Sequence, residues 1–209
     1  MTPSWTPAPP RERPAGTERA RIEELVELAA SADPICRHHT SHSERVADYA
    51  SGLAAALGFD ARACRRVHIA GRLHDVGKTA VSAAILNKEG PLTEEERRQV
   101  ALHPVLGAQM IDHPALDDIR RWTLAHHERP DGEGYPFGLS GGEIPVEARS
   151  IAVIDAYEAM TAARPYRHAL AHWPACHELA RGAWTQFDAL VIGVFLRSVS
   201  SESRDRRIA

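Results

Sequence analysis

Apolar residues recur at helical spacing along most of this chain. Ile22, Leu25, Val26 and Ala29 fall at i, i+3, i+4 and i+7, predicting a helix from Thr17. After Ser41-His42-Ser43 a second stripe follows, with Val46, Tyr49, Ala50, Leu53 and Leu57, closed by Gly58 as a C′ residue. A third helix is predicted from about Asp60 to Val76, burying Val67, Ala70 and Leu73, with Gly77 as its stop. Thr93-Glu94-Glu95-Glu96 is a capping-box pattern opening a fourth. Pro104 marks a break or a new helix start, since proline lacks an N–H and disfavours helix at residue 103. Another helix covers roughly Ala115 to Glu128, with Ile119, Trp122 and Ala125 or His126 inward.

Residues 129–145 hold five glycines and three prolines, which predicts a long loop. Helical periodicity returns from about Val146 to Ala162, and again from His172 to the end. No stretch alternates long enough to predict a strand. The fold class is therefore all-α, a compact helical bundle without internal repeats.

Composition adjusts the edges. Residues 1–16 carry five prolines and almost no aliphatic side chains, so a disordered leader is expected there. The helical domain is placed at 17–199, and a polar, frayed tail at 200–209. The opening stretch is too short for a receiver or sensor domain, so the domain is expected to stand alone. A net charge of −3 argues against a DNA or general nucleic-acid binder. No apolar run approaches the roughly 20 residues of a membrane span, and no secretory signal is present. Cys36, Cys64 and Cys176 are odd in number and far apart, so they read as free thiols of a reducing, cytoplasmic compartment.

Histidine is the outlier, with twelve residues. His42 opens one helix, His74-Asp75 ends another, His103 sits at the Pro104 break, and His126-His127 ends a further one. Asp155 lies in an otherwise apolar stretch, Ile151-Ala152-Val153-Ile154, where a buried carboxylate needs a cationic partner. Five imidazoles and two carboxylates exceed one tetrahedral zinc site and suit two or more octahedral ions. Mixed N/O ligation points to Fe or Mn, with Zn, Co or Ni as substitutes.

The ordered motifs add to this. They run H-S-E-R-V (His42–Val46), H-D-V-G-K (His74–Lys78), I-L-N-K-E-G-P-L-T (Ile85–Thr93) and H-P-V-L-G-A (His103–Ala108). H-H-E-R-P-D-G-E-G-Y-P (His126–Pro136), E-I-P (Glu143–Pro145), A-V-I-D-A-Y-E-A-M-T (Ala152–Thr161), R-P-Y-R (Arg164–Arg167) and T-Q-F-D (Thr185–Asp188) follow. Across roughly residues 38–198 the chain resembles the HD-GYP subgroup of HD-domain metal-dependent phosphohydrolases.

That resemblance implies that His42, His74, Asp75, His103, His126, His127 and Asp155 hold two or three divalent metals, with Asp75 bridging two. It implies hydrolysis of cyclic di-GMP to pGpG, in some members on to GMP, by metal-activated hydroxide attack on phosphorus. Lys78, Arg164 and Arg167 form the expected phosphate clamp, Lys78 acting beside Asp75 in catalysis. Tyr135, in the Gly134-Tyr135-Pro136 loop, is expected to stack on a guanine base, and the loop to dock a GGDEF-type cyclase. Some relatives use a glutamate one turn before the first ligand histidine for a third metal. Here His38 stands at that position, a candidate extra donor. Two alternatives stay open: a phosphodiesterase for another cyclic dinucleotide such as cyclic GMP-AMP, and a non-catalytic module binding cyclic di-GMP or a cyclase.

Overall fold

The computed structural model describes residues 17–32, 41–162 and 169–205, and the side chains among them except those of 32 and 201–205. The leader at 1–16, Cys36, His38, Arg164 and Arg167 lie outside the described residues. Among the described residues there are ten α-helices and no strand. They are α1 (Glu18–Ala32), α2 (His42–Ala56), α3 (Ala61–Leu73), α4 (Ala83–Leu86), α5 (Glu94–Val100), α6 (His103–Met110), α7 (Asp117–Ala125), α8 (Val146–Thr161), α9 (His172–Arg181) and α10 (Ala189–Asp205). The fold is all-α.

Capping fixes the starts. Ser41 accepts from Glu44 N to open α2, and Thr93 and Glu96 complete the reciprocal box of α5. Pro104 sits in the first turn of α6, so it opens a helix there. The core gathers on α2, which packs between α3 and α8. Val46, Ala50 and Leu53 of α2 bury against Val67, Ala70 and Leu73 of α3 and Ile151 and Ile154 of α8. Tyr49, on the same predicted stripe, stays 42% exposed and meets Tyr157 edge to face, 5.9 Å between ring centroids. Arg66 ties three elements together: its guanidinium grips Asp118 of α7, the Ala115 carbonyl and Glu18 of α1.

Three expectations need correction. The third helix ends at Leu73, not Val76, because the His74 ring Nδ1 is 2.7 Å from the Gly71 carbonyl that a longer helix would offer to Asp75. The chain then tightens into a 3₁₀ segment, Val76–Ala80. Gly77 lies within it, without a positive φ, and is no helix stop. A Cβ there would lie 2.0 Å from the His103 oxygen and 2.5 Å from Gly107 N, so glycine is needed for close approach to α6.

The run from His172 is two helices. It breaks between Gly182 and Asp188, where Trp184 adopts φ +69° and its amide bonds to the Phe187 carbonyl. Beyond the break, α10 runs from Ala189 to Asp205. No helix among the described residues is long and apolar enough to cross a membrane.

Candidate metal centre

Helix ends converge on one buried cluster. His42 is the first residue of α2, His74-Asp75 follows α3, His103 opens α6, and His126-His127 follows α7. Asp155 comes from the middle of α8. All seven predicted donors meet. Asp75, His103, His126 and His127 each place a ligand atom within 4.8 Å of the others, and so do His42, His74 and Asp75. Asp75 belongs to both groups. Asp155 joins through its Oδ1, 3.1 Å from His42 Nε2 and 3.9 Å from His74 Nε2.

Three rings are aimed by one device. Nδ1 of His74, His103 and His126 lies 2.7, 2.8 and 2.6 Å from the carbonyl three residues earlier, at Gly71, Val100 and Thr123. A carbonyl only accepts, so each Nδ1 carries the proton and each Nε2 is turned into the cluster. His103 Nε2 then faces His126 Nε2 at 3.3 Å. With both rings neutral, two lone pairs point at each other, an arrangement that a cation between them resolves. His74 Nε2 and Asp75 Oδ1 are buried without a hydrogen-bond partner. Orphaned polar atoms of this kind cost free energy unless something electropositive meets them. The residues therefore fit divalent cations, held by imidazole nitrogens and carboxylate oxygens.

The charges follow the same logic. Burial pushes the carboxyls of Asp75 and Asp155 up, yet both stand well below the usual carboxylate range. Lys78, His74 and His103 surround Asp75, while His42 and His74 face Asp155. Burial and the neighbouring His127 and His103 hold His126 well below its ordinary value, and burial takes His127 down to about 4. His42 goes the other way. Burial opposes its charge, but Asp155 and Glu158 outweigh it and raise the ring to about 10.

Two further predicted side chains, Lys78 and Tyr135, lie against the donors. The Lys78 ammonium contacts the Asp75 carboxylate. Tyr135 lies nearly flat on His127, with centroids 4.9 Å apart and planes 29° from parallel. Burial and the facing Asp75 and Asp155 carboxylates push its phenol up, so it stays protonated. The long loop is pulled onto the cluster by its own start: Tyr135 N donates to the His127 carbonyl, 3.2 Å away.

Glu128, Glu158 and Arg45 went unassigned in the sequence. Glu128 is 2% exposed and accepts from Phe137 N at 2.7 Å and Leu139 N at 2.9 Å. Glu158 is buried between His42 Nδ1, at 2.7 Å, and the Arg45 guanidinium. The signal for Glu158 was the same as for Asp155: an acid three residues on, in the same mostly apolar helix.

A model of the HD domain matches residues 25–191. The chain belongs to the HD-domain family. Among curated relatives, this HD domain is 36% identical over 183 residues to the cyclic di-GMP phosphodiesterase response regulator RpfG of Xanthomonas campestris, covering 86% of this chain and 48% of that one. It is 41% identical over 167 residues to the cyclic di-GMP phosphodiesterase PA4108 of Pseudomonas aeruginosa, covering 76% of this chain and 38% of that one. The HD domain thus spans about half or less of the length of these relatives. Among solved structures, a cyclic GMP-AMP specific phosphodiesterase of V. cholerae aligns with TM-score 0.61 and 14% identity over 86% of this chain and 48% of that one. At that identity the likeness is one of fold.

Proposed function

We propose that this HD domain is a metal-dependent phosphodiesterase that opens cyclic di-GMP to linear pGpG. The observation that carries the reading is Asp75, whose carboxylate is shared by two donor groups inside one buried cluster. The proposed ligands are His42, His74, Asp75, His103, His126, His127 and Asp155, holding two cations, with Fe or Mn preferred by the mixed N/O set. The relatives named for cyclic di-GMP hydrolysis support the choice of substrate.

When bound, such cations supply the Lewis acidity that makes a water nucleophilic near neutral pH and offsets charge on the phosphodiester. The chain does the rest. Asp75 and Asp155 stay ionised and keep their oxygens turned inward. His126 and His127 stay neutral, so their ring nitrogens remain donors of electron pairs. We assign Lys78, close to Asp75, to a non-bridging phosphate oxygen, and Arg164 and Arg167 to the same grip. Tyr135 walls the cluster beside His127 as the partner for a guanine ring. Phe137, two residues on and 40% exposed, extends the loop surface that we assign to a GGDEF-type cyclase. The free thiols Cys64 and Cys176 support a cytoplasmic setting.

Protein purified without oxygen and loaded with Fe or Mn is expected to convert cyclic di-GMP to pGpG, and Asp75→Ala to abolish turnover. Full turnover by that variant overturns the mechanism. Faster turnover of cyclic GMP-AMP moves the substrate, and tight binding without hydrolysis by metal-replete protein makes the domain a binding module.

A further inference from the structure

His42 is the odd ring in the cluster. His74, His103 and His126 each set their own orientation by donating Nδ1–H to the carbonyl three residues earlier. His42 is the first helical residue of α2, with no helical turn before it to supply that carbonyl. Its Nδ1 turns instead to Glu158 Oε2, 2.7 Å away on α8. Glu158 is 3% exposed and its other oxygen, Oε1, is held by Arg45 Nε.

Four residues therefore interlock across the α2–α8 contact. His42 and Arg45 are three apart on one helix, Asp155 and Glu158 three apart on the other. The contacts run Asp155 to His42, His42 to Glu158, and Glu158 to Arg45. We propose that Glu158, itself held by Arg45, is the positioning residue that fixes the tautomer and tilt of His42 so that Nε2 faces Asp155 and the cation they share. The proposal rests on the metal reading given above.

A carboxylate does more than a carbonyl in this place. It strengthens the electron-pair donation of the ring it holds, and losing such a partner typically costs about 10–100-fold in metal affinity. Glu158 thus gives the His42 side of the centre a charged support, where His74, His103 and His126 have neutral ones.

The test is Mn²⁺ binding to the full chain by chelator competition, with wild type, Glu158→Ala and Glu158→Gln compared. Wild type is expected to bind two equivalents. Glu158→Ala should weaken one of them by about 10–100-fold and leave the other unchanged. Glu158→Gln, whose amide oxygen still accepts from Nδ1–H, should fall between. If the alanine variant does not fold, the glutamine variant decides. Wild-type affinity at both equivalents in every folded variant overturns the role of Glu158. No Mn²⁺ binding by wild type overturns the metal reading itself.

Discussion

Gly77 and His103 meet main chain to main chain: a Cβ on Gly77 would lie 2.0 Å from the His103 carbonyl oxygen. Neither backbone can yield without moving His103 away from Asp75, now 3.2 Å apart at Nε2 and Oδ1. Gly77→Ala is expected to cost at least about 2 kcal/mol in stability and to loosen metal binding. Gly52→Ala, in mid-α2 with nothing within 4 Å of the new Cβ, is the control and should gain about 0.5–1 kcal/mol. Urea unfolding of the two variants checks the pair; equal midpoints would remove the close-approach argument.

Glu128 accepts two amides of the loop that carries Tyr135. Truncation to alanine leaves both part-buried amides without this partner, at about 1 kcal/mol each. In Glu128→Ala the Phe137 and Leu139 amides should exchange with deuterium correspondingly faster. Glu128→Gln keeps one carbonyl oxygen and should protect only one of the two. Unchanged protection at both sites in the alanine variant would detach Glu128 from the loop.

Asp118 shows how pH reaches the bundle away from the metal centre. Burial raises its carboxyl, and Arg66 and the Ile119 amide bring it below the ordinary value. Its folded pKa is depressed, so its stabilisation is present above the unfolded carboxylate value of about 3.9 and lost as pH falls through the folded one. Asp118→Asn should therefore be less stable than wild type at pH 7, with the gap closing as pH falls below the unfolded value of about 3.9. A constant gap across that window, by thermal melts, would contradict the assignment.

The metal-free His42 ring, raised to about 10, is still protonated at pH 8.5. His126, well below its ordinary value, and His127, at about 4, are neutral there. Metal loading at pH 8.5 should release the His42 proton in addition to that of any water the cations ionise. Calorimetry in two buffers of different ionisation enthalpy measures it, and a buffer-independent heat refutes it. Before loading, the raised value contributes stability that is full below the unfolded value of about 6.5 and lost as pH rises through about 10.

Much of this was legible in the chain. The stripes of α2, α3 and α7 carry their own period, and every donor but Asp155 sits at a helix end that the pattern announces. What escaped depends on contacts between distant segments. Gly77 looks like a helix stop because glycine often is one, and only the approach of α6 shows its use. Between Gly182 and Asp188 the apolar spacing hardly falters, so the break at Trp184 carries little local signal. Glu128 looks like a surface acid until the loop amides are brought to it, and the apolar setting of Glu158 does not name its His42 partner. Arg164, Arg167 and His38 lie outside the described residues, so the sequence still speaks for them alone.

The three carbonyls behind His74, His103 and His126 belong to the local chain, not to its neighbours across the bundle. Each of these rings has its tautomer set within its own turn. Such a centre arrives at its first ion with most of its electron pairs already aligned. What remains is the proton on the raised His42 ring, which the ion we propose has to displace.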